Sequence, residues 1–382
     1  MNFAFCLFNF YPYGGLEQSF LNISKQALVR GHTVDVFTCS WEGDIPAGLQ
    51  VKVLPCKAWS NHALGKKYVA KLEKELALGR YDAVVGFNRM PGLDVYYNAD
   101  VSFVVQARKK HGAWYRLMPR YRLFAAFERA VFEAAAATHI LYISPRVKTE
   151  YQTEYDTSEA RWHALPPGIN KQRIEEALVA NASVATRAEL GLELDDTLLL
   201  MIGSDFKRKG VDRALHALAA LPDNLREKTA LVVIGQGDIE TYTRLAQRLA
   251  VDTRLRLLGP RQGVARFLAA ADMLLHPALS ETAGNAIVEG LVAGLPVLVT
   301  ASCGFSFHVQ AADAGLLIPD EPYRQEQFNT LLQQAIDSDQ RPQWQANARH
   351  YAVTTDLYSR PLKAVETIES IAERKRASLT SL

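Results

Sequence analysis

The sequence predicts an α/β protein built from two Rossmann-like domains with parallel sheets. Short apolar runs of strand length recur along the whole chain, separated by segments with helical spacing. Strands buried on both faces of a parallel sheet read as such continuous runs, whereas a half-exposed antiparallel strand would alternate. Glycine-bearing loops follow several of the runs and precede helices, as in a βα unit. At 382 residues the chain is also too long for one typical core.

In the first half, residues 2–8 form an apolar run, the loop Asn9–Gly15 follows, and Leu16–Arg30 has helical spacing up to Gly31. Gly14-Gly15 lets backbone approach a ligand closely, although a Gly-Gly pair also serves as plain punctuation, and the loop lacks a full G-x-G-x-x-G. Thr33–Thr38 and Ala83–Phe87 read as buried strands, Val51–Leu54 as an edge strand, and Ala63–Leu78 as a helix. The loop Asn88–Gly92 ends a strand, where open sheets place ligands. Leu93–Tyr97 leads to Asn98-Ala-Asp100, and Asp100 either faces the same crevice or is a solvated turn residue. Ile140–Ile143 reads as a strand, and Ser144-Pro145 opens a helix to Tyr155.

Residues 105–134 interleave Arg108, Lys109, Lys110, Arg116, Arg120, Arg122 and Arg129 with Trp114, Tyr115, Leu117, Met118, Tyr121 and Phe124. That texture fits a helix or hairpin lying on an anionic membrane surface. Nucleic acid or an acidic partner would also be attracted, and a core helix with its arginines on a solvated face is the plain alternative. No other basic groove accompanies it, so nucleic acid is not expected.

Pro166-Pro167-Gly168 is the strongest boundary signal, placing a linker over residues 166–185. The expected domains are residues 1–168 and 169–355, with a terminal helix over 356–382 crossing back to the first domain. In the second half, Leu198–Ile202, Ala230–Ile234, Leu255–Leu258, Met273–His276 and Pro296–Thr300 are strands with helices between.

The richest stretch runs from His276 to Leu298. A buried strand ends at His276, a small-residue loop carries Glu281, and a helix starting near Gly284 carries Glu289 eight residues further on. Eight helical residues rise about 12 Å, the reach needed to touch both ends of a sugar-diphosphate-nucleoside. The helix start between them offers N–H groups and a positive dipole end to an anion. A solvated pair of glutamates on an ordinary βαβ unit is the alternative. Gly203-Ser-Asp-Phe-Lys207-Arg208-Lys209-Gly210 follows the first strand of this half, so its cations stand at a sheet edge where phosphate would be neutralised. Gly235-Gln-Gly237 and Gly259-Pro-Arg261 close later strands on the same edge, where Arg261 could stack on a base.

A net charge of +2 excludes a wholly basic nucleic-acid binder. Four scattered cysteines, with no C-x-x-C, fit reduced thiols better than a zinc or disulfide framework. The amino terminus lacks a basic n-region and is not read as a signal peptide, and no apolar run is long enough to span a bilayer.

Gly14-Gly15, the basic loop at 203–210, His276-Pro277 and the Glu281/Glu289 pair together resemble the retaining glycosyltransferases of family 4. Their fold, GT-B, sets two Rossmann-like domains with parallel sheets facing a central cleft. Ser40-Trp-Glu-Gly-Asp44, Val85-Gly-Phe-Asn88, Met90-Pro-Gly-Leu-Asp-Val-Tyr96, Leu165-Pro-Pro-Gly-Ile169 and Asn347-Ala-Arg-His-Tyr351 extend the resemblance from residue 3 to residue 365. It is strongest to members that build the lipopolysaccharide core.

The resemblance implies transfer of a hexose, first of all glucose, from a UDP-sugar to a heptose of the lipopolysaccharide inner core. The reaction would proceed with retention, without metal or other cofactor, at the cytoplasmic face of the inner membrane. Residues 105–134 would be the membrane contact. It places Glu289 on the ribose, and Glu281 with the backbone of Thr282, Ala283, Gly284 and Asn285 on the donor sugar. Arg208 and Lys209 would hold the diphosphate as it leaves, with Gly14, Gly15, Arg173 and Gly203 nearby and Asp100 as a further catalytic candidate. The chain departs from the family pattern at Ser19, where an aspartate is usual, and carries Glu17-Gln18 beside it, which leaves acceptor choice open. A UDP-sugar epimerase of the same fold and a non-catalytic nucleotide-sugar-binding membrane protein are the rival readings.

Overall fold

The computed structural model describes residues 1–12, 14–172, 174 and 182–380. The chain forms two compact units, Met1–Pro166 with Ser359–Leu382, and Pro167–Tyr358.

The first unit holds seven strands: β1 (Asn2–Cys6), β3 (Thr33–Thr38), β5 (Leu49–Val53), β6 (Ala83–Gly86), β7 (Val95–Asn98), β8 (His139–Tyr142) and β9 (Trp162–Ala164). They lie in the order β5-β3-β1-β6-β7-β8-β9, all parallel. A two-residue ribbon pairs β2 (Asn9–Phe10) with β4 (Ser40–Trp41). The central strands are legible because both faces are covered: Phe3, Ala4, Phe5 and Cys6 are all fully buried. Trp162–Ala164, by contrast, is three residues long and gives periodicity nothing to act on.

The last helix, Arg360–Thr380, belongs to this unit and packs on the helix Gly15–Val29. Ala364, Val365, Ile368, Ile371 and Ala372 form its buried stripe at three- and four-residue spacing. Polar contacts tether it to the same unit: Glu369 pairs with Arg30 at 2.8 Å and meets His32 Nε2 at 2.5 Å, and Lys375 pairs with Asp94 at 2.7 Å.

The second unit is a six-stranded parallel sheet of β10 (Thr197–Ile202), β11 (Thr229–Ile234), β12 (Leu255–Gly259), β13 (Met273–His276), β14 (Val297–Thr300) and β15 (Gly315–Ile318). The order is β12-β11-β10-β13-β14-β15. Numbered within the unit this is 3-2-1-4-5-6, the doubly wound order whose winding reverses between the first and fourth strands. β15 was not expected from the sequence: three of its four residues are only partly buried, so no continuous core run marks it. Both sheets reverse at a single point, between β1 and β6 in one and between β10 and β13 in the other. The loops leaving those strands are where such folds place ligands.

Candidate active site

In the second unit the loops after β10 and β13 meet at the reversal. Asp205, at φ 65°, caps the short helix Phe206–Lys209 by accepting from the Arg208 amide. This turn presents Arg208 and Lys209 toward the loop after β13, whose Leu279 amide donates to the Arg208 carbonyl at 2.8 Å. Two glycines permit the approach. A Cβ on Gly203 would meet the Lys209 stem at 2.4 Å, and one on Gly210 would meet the Pro277 carbonyl at 2.1 Å.

The convergence produces an ion cluster that the sequence did not foretell. Arg208 Nη1 donates to Glu281 Oε2 at 2.9 Å, Lys209 Nζ bonds the same oxygen, and His276 Nε2 stands 3.6 Å from it. At 3.6 Å the His276 contact is longer than an ordinary hydrogen bond. Burial alone would raise the Glu281 carboxyl; His276 and the Lys209 ammonium outweigh it and hold the group well below the usual carboxylate range. Burial lowers His276, which therefore stays neutral at pH 7. All three neighbours crowd Oε2, and among the described residues no contact engages Oε1.

Next to this cluster the helix Asn285–Val292 begins at Gly284, whose φ of 101° favours glycine, and no side chain caps it. The Ile287 amide turns back to the Gly284 carbonyl at 2.9 Å, which leaves the Asn285 and Ala286 N–H groups for an anion. Asn285 is exposed, and Glu289 lies partly buried one turn on. The loop after β14 pins Thr282 and Ala283: Gly304 N donates to the Glu281 carbonyl at 3.0 Å and Phe305 N to the Ala283 carbonyl at 2.8 Å. A Cβ on Gly304 would sit 1.7 Å from the Thr282 oxygen, so the contact requires glycine. His276, Asp205 and Gly304 complete the site; the glycine and the N-cap aspartate beside the motifs were the available signals for two of them.

Arg261 is exposed after β12, an edge strand two positions from β10, and acts on Glu189 rather than on the cluster. Two strand spacings are about 10 Å. Arg173 lies outside the described residues. Gly14, Gly15 and Asp100 belong to the first unit. There the Glu17 carboxyl folds back beside Gly14, and burial pushes its pKa up. Asp100 is half exposed, 4.0 Å from Arg89.

The basic-aromatic segment forms the helix Phe103–Lys110, a 3-10 turn at Ala113–Leu117 and the helix Pro119–Phe132. Phe127, Val131 and Phe132 are buried, while Trp114 and Leu117 are 63% and 68% exposed. Glu128 is wholly buried and ties the segment down, accepting from Arg89 at 2.5 Å, Ser102 Oγ at 2.7 Å, the Phe103 amide at 2.6 Å and Tyr155 at 2.8 Å.

Two doubly wound units, one bearing a cation-carboxylate cluster beside an uncapped helix start, are the architecture of a nucleotide-sugar transferase. The family model for glycosyl transferases group 1 matches residues 184–351, and that for Glycosyltransferase Family 4 matches residues 13–173. The chain belongs to this glycosyltransferase family. In sequence it is similar to the lipopolysaccharide glucosyltransferase WaaG of Escherichia coli (strain K12), at 43% identity over 366 residues, covering 96% of this chain and 98% of the relative. D-inositol 3-phosphate glycosyltransferase of Corynebacterium aurimucosum is 30% identical over 163 residues, or 41% of this chain and 38% of that protein.

Among solved structures, the crystal structure of WaaG superposes with a TM-score of 0.86 at 42% identity, covering 96% of this chain and 99% of that one. Anabaena HepE in complex with UDP-glucose superposes at TM-score 0.66 and 18% identity over the whole of both chains, a likeness of fold.

Proposed function

We propose that this glycosyltransferase moves glucose from UDP-glucose to a heptose of the lipopolysaccharide core, with retention at the anomeric carbon. One observation supports the reading most: Arg208, Lys209 and Glu281 converge beside the uncapped start of the helix Asn285–Val292. Two fixed cations and a helix dipole suit a diphosphate that gains charge as it leaves, so the site requires no metal ion. Glu281 serves two tasks. Its Oε2 positions the cations, and its Oε1 accepts from a hydroxyl of the transferred sugar. Glu289 takes the ribose.

A carboxylate held by two cations is a poor nucleophile. The acceptor hydroxyl therefore attacks on the face the diphosphate leaves, giving its proton to the departing phosphate, and the protein contributes position and charge. Similarity to the lipopolysaccharide glucosyltransferase WaaG over nearly the whole of both chains favours the glucosyl reading over an epimerase or a non-catalytic binder.

Residues 105–134 bring the enzyme to its lipid-linked acceptor. Trp114, Leu117 and Met118 are exposed apolar anchors on the same segment as Arg108, Lys109, Lys110, Arg116 and Arg122. The test is a panel of UDP-sugars offered with heptose-terminated core lipopolysaccharide, with UDP release and product mass as readouts. Acceptor-dependent release with UDP-glucose is expected; release that needs no acceptor, or none with any donor, would overturn the proposal.

A further inference from the structure

In the first unit, Arg360 presents an unsolved balance of charge. Its residue is 6% exposed, and among the described residues Nη2 has no hydrogen-bond partner. Nε donates to the Pro166 carbonyl at 3.0 Å, and Nη1 to Ser19 Oγ at 3.2 Å and Tyr97 Oη at 3.3 Å. These acceptors are neutral, and among the described residues no carboxylate lies within the 4.0 Å of an ion pair. A buried guanidinium without a counter-charge is costly, and a buried donor without a partner is unusual enough to need a cause.

The surroundings increase the positive potential. Ser19 lies in the second turn of the helix Gly15–Val29 and donates to the Gly15 carbonyl at 3.0 Å. Gly14 is the N-cap of that helix, and no side chain caps it. Arg360 itself begins the helix Arg360–Thr380. The guanidinium thus adjoins two helix starts, each a positive dipole end. The one carboxyl of the first turn, Glu17, bends back toward Gly14 and Tyr11.

We infer that Arg360 Nη2, with Tyr97 Oη as a second donor and with Nη1 held by Ser19 Oγ, forms an oxyanion subsite that takes a phosphate or carboxylate group carried by the sugar acceptor. The subsite stands at the sheet's ligand-binding edge, since Tyr97 is at the carboxyl end of β7 and the glycine-loop helix starts after β1. The assignment to the acceptor rests on the transferase reading; the anion chemistry does not. Arg360 is a specificity residue in this scheme.

The test uses the full chain with saturating UDP, so that Arg208 and Lys209 are already engaged. Inorganic phosphate at constant ionic strength should then raise Tm in the wild type and not in Arg360→Gln. Ser19→Asp sets a carboxylate against the guanidinium, so it should keep or raise Tm while abolishing the phosphate response. In turnover, both variants should raise KM for an acceptor bearing its phosphate about tenfold or more. The donor KM should be unchanged, Arg360→Lys should recover part of the effect, and phosphatase-treated acceptor should show none of it.

Equal phosphate response in wild type and Ser19→Asp would overturn the subsite and leave Arg360 a structural residue. A phosphate response with unchanged acceptor KM would overturn the acceptor assignment. Loss of turnover with every acceptor would instead count against the transferase reading, and the phosphate titration would still decide the subsite.

Discussion

The coupling of Glu281 to Lys209 can be measured directly. Glu281→Gln keeps the shape of the side chain and removes the charge that Arg208 and Lys209 share. The Glu281 and Lys209 side chains are 14% and 12% exposed, whereas Arg208 is 40% exposed. Breaking a buried pair costs about 3–5 kcal/mol, and an exposed pair about 0–1 kcal/mol. Since Lys209 supplies most of the buried interaction, we expect Glu281→Gln to lose about 2–4 kcal/mol. Lys209→Met should lose a similar amount. The double variant should lose much less than the sum, giving a coupling of about 1.5–3 kcal/mol. Urea unfolding of the four proteins without ligand provides the cycle. The same substitutions should reduce kcat/KM by about 10²–10³, because the cations lose their fixed aim at the leaving diphosphate. Additivity to within about 0.5 kcal/mol would refute the positioning role of Glu281.

The ion cluster also sets an acid dependence. Glu281 has a folded pKa below its usual 4.5, so its contribution is present above that value and lost as pH falls toward the folded pKa. The stability gap between wild type and Glu281→Gln should be flat from about pH 8 to 5 and shrink progressively below about 4.5 in urea titrations. Gly304→Ala places a methyl against the Thr282 carbonyl and should destabilise by about 2 kcal/mol or more while raising donor KM, measured by Tm and initial rates. Turnover should survive EDTA, and a loss restored by Mg²⁺ would contradict the cation-and-dipole account. Anionic vesicles should co-sediment the protein at low salt and release it above about 0.5 M, with Trp114→Ala and Leu117→Ala weakening the association.

The paired architecture was legible in the sequence because parallel strands covered on both faces must be apolar without interruption. Thr229–Ile234, all buried, states its position by composition alone. The groups that converge in the second unit were legible as types at local spacing: a run of cations after one strand and a glutamate just before one helix start. Short or half-covered strands such as Trp162–Ala164 and Gly315–Ile318 were not, since a few residues set no period.

What the tertiary structure alone decided is which loops meet. Strand order puts β10 beside β13, so Lys209 and Glu281, 72 residues apart, share one oxygen. The same order leaves Arg261 on an edge strand, although all these loops leave the sheet on one side. Arg360 and Ser19 are 341 residues apart and meet only because the last helix returns to the first unit. Local sequence determines which residues face a core, because burial depends on period. Which charges face one another depends on the winding of the sheet, and that is settled only when the strands pair.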